Sequence, residues 1–159
     1  MTALIIERLT PDLFELATSL LVAPEQLEFT GTVADALAGI DGGRHPHGIW
    51  FDRSLVGFFI VDTQFDREFD FCGAGALGIR TFLIDRQRQG QGLGKAAVKV
   101  LGPYLAEAYP ASTVVWLTVN CRNLAAYRCY KQGGFTDTGD LYLGGAAGPQ
   151  HVMRQTLFQ

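Results

Sequence analysis

The sequence predicts an α/β fold with a mixed, mostly antiparallel sheet and flanking helices. Apolar runs of strand length, rich in β-branched residues, recur along the chain. Between them lie stretches with apolar residues at three- and four-residue spacing, which is the period of a helix. The predicted order is strand, two helices, three antiparallel strands, helix, strand, helix and terminal strands. This order combines antiparallel hairpins with strand–helix–strand crossovers, so it favours a sheet of mixed direction.

Composition predicts one soluble domain over residues 1–159. The chain has 159 residues, of which 48% are hydrophobic, enough to close a single core. It has no run of about 18 apolar residues, and a basic segment followed by an apolar stretch is missing at the N-terminus, so we expect a cytoplasmic protein. The three cysteines are odd in number and lack C-x-x-C spacing, which argues against a disulfide framework and against a zinc site.

The N-terminal third predicts one strand and two short helices. Residues 3–9 form the strand, and Thr10 with Pro11 is typical of a helix start. Residues 23–29 break the pattern, and residues 33–40 form a second short helix. We expect these helices to line the side of the molecule where a substrate binds.

A hairpin is predicted next. Residues 48–51 and 55–61 are apolar runs joined by a polar turn at residues 52–54, and Gly57 suggests a bulge or a close approach of another chain segment. Residues 63–75 are polar and charged, so they predict a loop. His45 and His47 are assigned to another loop, and the absence of a third nearby ligand argues against a metal site there.

The second half predicts the central strand, two helices and the terminal strands. Residues 76–84 form the strand, and a long apolar helical stripe follows the glycine-rich turn. Pro103 lies inside this stripe and is expected to kink or shorten the helix after Val100. Further segments are a strand at 112–119, a helix at 124–132, and terminal strands at 135–138, 141–143 and 151–157.

The glycine-rich turn at residues 83–95 predicts an anion-binding site. Gly90, Gly92 and Gly94 allow positive φ and close approach of the backbone, and the first N–H groups of the following helix are unpaired. This arrangement favours phosphate. Cationic side chains flank the turn, so a pyrophosphate is a better candidate than a carboxylate; they are Arg86, Arg88 and Lys95.

Two known phosphate-binding patterns do not fit this turn. A dinucleotide fingerprint G-x-G-x-x-G would require glycine at Lys95. A Walker A loop would require glycine at Gln89 and a hydroxyl residue at Ala96. The turn is therefore not a typical nucleotide-binding loop.

Two motifs in the second half resemble the GNAT superfamily of N-acetyltransferases. Gln87-x-x-Gly90-x-Gly92 is similar to its Q/R-x-x-G-x-G/A signature. Residues 119–135 are similar to its V-x-x-x-N-x-x-A-x-x-x-Y-x-K-x-G-F run. Both occur in the family's order with a strand between them. The resemblance implies a GNAT fold in which the strands ending at Ile84 and Val119 start parallel and then splay apart.

The resemblance also implies acetyl-CoA as cosubstrate and no metal. The pantetheine arm would enter the gap between the splayed strands and pair with the strand edge at residues 82–84, and an N–H of this edge would bind the oxyanion. Asn123 would lie beside the arm, although it or Asn120 is an equally good helix cap. The implied cofactor-binding residues are Phe82, Leu83, Ile84, Arg88, Gln89, Gly90, Gln91, Gly92, Leu93, Gly94, Lys95, Asn123, Tyr127 and Tyr130.

Catalysis of acetyl transfer needs an acid for the thiolate and a base for the amine. Tyr130 holds the position of the family's tyrosine acid, with Tyr127 as the competing candidate. An amine of pKa near 10 is mostly protonated at neutral pH, so a carboxylate acting through water is expected as base. Glu25, Glu28 and Asp85 are the candidates, and any of them could instead be a substrate counter-charge or a surface residue.

The acceptor is predicted from charge and from one branch of the family. Residues 1–70 carry 12 Asp and Glu against 4 Arg, whereas residues 71–159 carry 9 Lys and Arg against 4 acids. The acidic half would attract a small cationic amine, which Glu25 and Glu28 would bind, and the basic half suits polyanionic CoA. Three short segments resemble the bacterial spermine/spermidine acetyltransferases, which implies a polyamine or diamine acceptor; they are residues 24–26, 82–85 and 89–95. A peptide or aminoglycoside amine and a non-catalytic CoA-binding module remain alternatives; neither nucleic acid nor membrane is expected as a partner, and a homodimer is left open.

Overall fold

A seven-stranded sheet forms the centre of the molecule. The structure is a computed structural model and describes residues 3–158. The spatial strand order is β1-β2-β3-β4-β5-β7-β6. The strands are β1 (Leu4–Arg8), β2 (Arg44–Phe51), β3 (Ser54–Asp62), β4 (Leu77–Ile84), β5 (Val114–Asn120), β6 (Thr136–Tyr142) and β7 (Gln150–Thr156).

Helices cover both faces of this sheet. Three short helices precede β2, and two longer ones follow β4 and β5: α1 (Phe14–Thr18), α2 (Leu27–Thr30), α3 (Val33–Ala38), α4 (Leu93–Ala108) and α5 (Leu124–Gly133). Buried residues of α4 and α5 pack with β3, β4, β5 and β7 into one core, and residues of α1 and α3 pack against Phe58, Ile60 and Leu83 from the other side.

Neighbouring strands are antiparallel with one exception. β4 and β5 run parallel, joined by the crossover through α4, and every other neighbouring pair is antiparallel. The predicted fold class, a mixed and mostly antiparallel α/β sheet with one parallel pair, is confirmed.

The β2–β3 hairpin is tighter than predicted. Asp52 and Arg53 alone form the turn, both with positive φ, at 50° and 64°. Such a two-residue turn matches the twist of the strands it joins. Gly57 was predicted to mark a bulge or a close approach, and both occur: the register shifts opposite it, and a Cβ at this position would lie 2.7 Å from the carbonyl oxygen of Leu83.

His45 and His47 lie in β2, so their assignment to a loop was wrong. Residues 44–47 extend the strand and pair with β3. His47 is fully buried and stacks on Phe59. Its Nδ1 donates to the carbonyl of His45 at 2.9 Å, so its Nε2 accepts the hydroxyl of Tyr104 at 2.7 Å. Proline between the two histidines concealed the strand, because proline is rare in sheet interiors.

His47 makes stability depend on pH. Burial lowers the pKa of His47 from 6.5 to about 4. The unfolded chain therefore binds more protons than the folded one between these values. The contribution of neutral His47 to stability is fully present above pH 6.5. About 3 kcal/mol of unfolding free energy is lost as the pH falls from 6.5 to 4. Urea unfolding midpoints measured across this range check the expected loss.

A His47→Gln variant supplies the control for this prediction. It lacks the titrating imidazole, so its stability should depend less on pH between 6.5 and 4 even if it is lower at pH 7. An unchanged pH dependence in this variant would assign the acid sensitivity to other groups.

Two further local expectations also need correction. α4 continues through Pro103 to Ala108, so the helix is not shortened after Val100. Pro103 is exposed, and the buried Leu101 and Leu105 hold the helix in the core on either side of it. Residues 10–13 form a 3₁₀ turn, in which the Thr10 side chain makes no capping bond to the backbone.

Candidate active site

The parallel pair β4–β5 opens into a gap. Only Leu77–Val115 and Gly78–Trp116 are paired, and the strands separate beyond them. On its other side β4 stays paired with β3 as far as Ile84. The carboxyl-terminal half of β4 therefore presents a free edge toward the gap.

A bulge in β4 lies at this edge. Thr81 has φ +52°, which is uncommon for a non-glycine residue, and the β3–β4 register shifts opposite Phe59. The bulge interrupts the alternation of side chains between the two faces. As a result the four successive residues 79–82 all line the same cavity.

One cavity, the glycine cleft, lies between the glycine-rich turn, the β4 edge and α5. Its volume is about 470 Å³. Twelve of the residues predicted to bind a cofactor line it: Phe82, Leu83, Ile84, Arg88, Gln89, Gly90, Gly92, Leu93, Gly94, Lys95, Asn123 and Tyr130. Gln91 and Tyr127 do not line it, so the binding roles predicted for them receive no support from the geometry.

The turn has the geometry expected of an anion-binding site. Gly90 and Gly92 have φ of +82° and +79°, and no atom lies within 4 Å of a Cβ built on either. α4 begins directly after Gly92, without a side-chain cap and without an acidic residue in its first turn. Its first N–H groups therefore point into open space with the positive end of the helix dipole behind them.

Sequence reasoning missed several residues of this cleft. Arg128 and Gln132 come from α5, and Val22 and Gln26 come from the segment before α2. Gln26 accepts a hydrogen bond from Gln89 at 2.9 Å, which ties this segment to the glycine turn. Because Gln26 and Gln89 are 63 residues apart, no local pattern in the sequence predicts their contact.

A second cavity, the polar cleft, lies on the other side of the gap. Its volume is about 430 Å³. Charged side chains in its lining are Glu28, Arg44, Glu68 and Arg80, and each has a partner of opposite charge within 4 Å. Small residues 144–147 line its far end. The backbone carbonyl of Ala147 there accepts from the buried Asn120 at 3.0 Å.

Tyr130 lines both cavities. Its ring is buried on α5, edge-on to Phe82 and Phe135 at centroid distances of 5.8 Å. No hydrogen bond to its hydroxyl occurs among the described residues. Burial, with a smaller contribution from Cys129, raises the pKa of Tyr130 above its usual value. The phenol is therefore protonated at neutral pH and free to donate to a bound molecule.

The family profile "Acetyltransferase (GNAT) family" matches residues 10–135. The chain belongs to this GNAT family of acetyltransferases. The match includes both motifs quoted above and extends into the first half of the chain, where the sequence alone offered no motif. The predicted family is thereby confirmed.

Two curated GNAT relatives share 33% identity with this chain over 100 residues. They are a "Probable spermine N(1)-acetyltransferase" of Bacillus subtilis subsp. natto strain BEST195 and a "Spermine/spermidine N(1)-acetyltransferase" of Bacillus subtilis strain 168. The aligned region is 63% of this chain and 64% of each relative. These names agree with the polyamine branch that the short segments resemble.

The GNAT fold is also found in solved structures. A crystal structure of the aminoglycoside acetyltransferase AAC(6')-Ib with coenzyme A and kanamycin superposes with a TM-score of 0.74 at 22% identity, covering 97% of this chain and 95% of the other. At this identity the likeness concerns the fold. Among residues 3–158, no helix is long and apolar enough to span a membrane. No group of three or more potential metal ligands occurs in the same range.

The three predicted carboxylates lie in different places. Glu28 lines the polar cleft and pairs with Arg122 at 3.2 Å. Glu25 is exposed and lines neither cleft. Asp85 also lines neither, and its Oδ1 accepts the backbone N–H of Leu21 at 3.1 Å. The roles predicted for all three stay predictions, with Glu28 the best placed.

The contacts of Asn123, Tyr127 and Tyr130 distinguish the roles that the sequence left open for them. Asn123 caps α5, since its Oδ1 accepts the Ala126 N–H at 3.4 Å, and it also lines both clefts. Tyr127 donates its hydroxyl to Asp137 at 2.8 Å and stacks against His151, away from both clefts. Tyr130 is therefore the better placed of the two predicted acids.

Proposed function

We propose that this chain transfers an acetyl group from acetyl-CoA to a primary amine, and that the amine attacks the thioester directly while both substrates are bound. The single observation that carries this proposal is the meeting of the two clefts. Thr30, Phe82, Asn123, Ala126 and Tyr130 line both. The thioester of a CoA ester bound in the glycine cleft would thus lie next to an amine bound in the polar cleft.

The glycine cleft suits CoA in both charge and shape. The open turn at Gly90 and Gly92 leaves room for a pyrophosphate against the backbone N–H groups, as helix N-termini commonly bind phosphate. Cations of the lining add charge complementary to CoA; they are Arg88, Lys95 and Arg128. The free edge of β4 offers backbone groups that can pair with the amides of the pantetheine arm.

Tyr130 would assist departure of the thiolate. Its raised pKa keeps the proton on the phenol until sulfur develops negative charge. The same shift makes complete proton transfer to a thiolate less favourable, so a hydrogen bond to sulfur is its first contribution. Cys129 is unsuited to act as a nucleophile instead, because burial raises the pKa of its thiol to about 11.

The polar cleft would hold the acceptor amine. The reacting ammonium must lose its proton, and Glu28 is the predicted carboxylate best placed to receive it through water. A polyamine or diamine is the proposed acceptor, supported by the names of the two Bacillus relatives. The arginine partners of the cleft's carboxylates leave it less acidic than the charge of residues 1–70 suggested.

Thiol release from acetyl-CoA with a panel of amines tests this function. We expect release to depend on the amine, with spermidine and putrescine as better acceptors than lysine peptides or kanamycin. Preference for a peptide or for kanamycin would identify a peptide or an aminoglycoside amine as the acceptor instead. Binding of CoA without release by any amine would identify a non-catalytic CoA-binding module.

Neutralising Glu28 should affect the acceptor and its deprotonation but not the binding of acetyl-CoA. In Glu28→Gln the KM for spermidine should rise about threefold, the size expected for a half-exposed ion pair, and kcat should fall because the base is lost, while the KM for acetyl-CoA stays constant. Glu107→Gln is the matched control, because Glu107 is an exposed residue of α4 that lines neither cleft. Equal kinetics in both variants and the wild type would remove Glu28 from the acceptor site.

A further inference from the structure

One wall of the polar cleft comes from the segment between β3 and β4, which the sequence indicated as a loop. A 3₁₀ turn at Phe65–Arg67 leads there to Glu68 and Phe69. The Phe65 ring lies directly on Gly78 of β4, where a Cβ would come within 2.1 Å of it. The Phe65 N–H also donates to the carbonyl of Ala76 at 3.2 Å. The segment is therefore packed onto the strand that carries the site.

Glu68 projects from this segment into the cleft. Its side chain is 49% exposed, and its Oε2 contacts Nη2 of Arg80. Nε of Arg80 donates to Oδ2 of Asp62 at 2.7 Å, and the Asp62 side chain is only 4% exposed. Arg80 thus contacts both carboxylates and fixes the position of Glu68, while Asp62 has a second cationic partner in Arg44, whose Nε lies 3.7 Å from the same Oδ2. Oε1 of Glu68 has no partner among the described residues.

Three aromatic residues line the same cleft as Glu68. They are Phe65, Phe69 and Tyr142. The guanidinium of Arg80 already lies over Phe65 and Phe69, at 5.1 and 5.3 Å from the ring centroids. Ring faces attract cations electrostatically, and a methylene chain gains from the same apolar surface.

The wall is separate from the reaction centre. Arg80, which holds Glu68, is two residues before Phe82, which contacts Tyr130, and the bulge at Thr81 lies between them. Glu68 lines the polar cleft alone, whereas Tyr130 lines both clefts. An ammonium bound at Glu68 therefore belongs to a different nitrogen from the one that reacts beside Tyr130.

We propose that Glu68 binds the second, non-reacting ammonium group of a diamine or polyamine and so selects acceptors with two amines. This inference rests on the proposed function, because it assigns the polar cleft to the acceptor. It adds a specificity-determining residue from a segment in which sequence reasoning found no site.

Isothermal titration of putrescine and butylamine into the CoA-saturated protein tests the proposal. The two ligands have the same four-carbon chain, and only putrescine carries a second amine. Glu68→Gln should weaken putrescine binding at least about threefold and leave butylamine binding unchanged. Glu107→Gln, at an exposed residue of α4 that lines neither cleft, should change neither, and melting curves would verify that both variants are folded.

The outcomes separate this proposal from the proposed function. Unchanged putrescine affinity in Glu68→Gln, or equal weakening of both amines, overturns the role of Glu68. Selective loss of putrescine binding supports it even where thiol release fails, in which case the acetyl-transfer assignment alone is wrong.

Discussion

Gly92→Asp is expected to weaken acetyl-CoA binding about 1000-fold. An aspartate would bring a negative charge to the turn proposed to hold the pyrophosphate, and two like charges about 4 Å apart near a protein surface repel by about 4 kcal/mol. Gly92 also has φ +79°, which costs a non-glycine residue stability. Calorimetry with acetyl-CoA measures the loss, with ATP and NAD as ligands for comparison.

Gly92→Asn separates the charge from the backbone effect. Asparagine has the size of aspartate and tolerates positive φ better than most residues, and it is neutral. Its affinity for acetyl-CoA should therefore lie between those of the wild type and Gly92→Asp. If Gly92→Asp binds acetyl-CoA as tightly as the wild type, the phosphate does not lie at this turn.

Tyr130→Phe is expected to lower kcat by about 10- to 1000-fold, which overlaps the roughly 100- to 10,000-fold typical of one general acid. The buried ring keeps its contacts with Phe82 and Phe135, so the variant should fold normally and its affinity for acetyl-CoA should barely change. Steady-state rates from pH 7 to 9 with calorimetric acetyl-CoA affinities measure the two effects separately.

Tyr127→Phe is the matched control on the same helix. It removes a hydroxyl that binds Asp137 outside both clefts, so it should retain kcat. Full activity of Tyr130→Phe combined with loss in Tyr127→Phe would mean that the proton donor has been misassigned.

The sequence was most informative where function depends on local backbone geometry. Gly90 and Gly92 predicted the turn at the cleft because only glycine adopts positive φ without strain. Tyr130 was located because a helical motif places it at a fixed distance from Asn123. The succession of strands and helices along the chain followed from periodicity, since the spacing of apolar residues differs between helix and strand.

The polar cleft could not be predicted in this way. Glu68 lies in the cleft because Phe65 packs on Gly78 and because Arg80 contacts Glu68. Both contacts join residues that are far apart in the sequence. Charge counting pointed to Glu28, which lines the cleft, and to Glu25, which is exposed and does not. The bulge at Thr81 lies beside the cleft. It could not be predicted from the sequence, because the residue with positive φ is not a glycine.

Initial rates of CoA release, with acetyl-CoA and spermidine varied together, test most directly the claim that two meeting clefts bind both substrates at once. We expect amine-dependent release and double-reciprocal lines that intersect, as direct attack within a ternary complex requires. Parallel lines with an acetylated enzyme intermediate, or no release that depends on the amine, would contradict it.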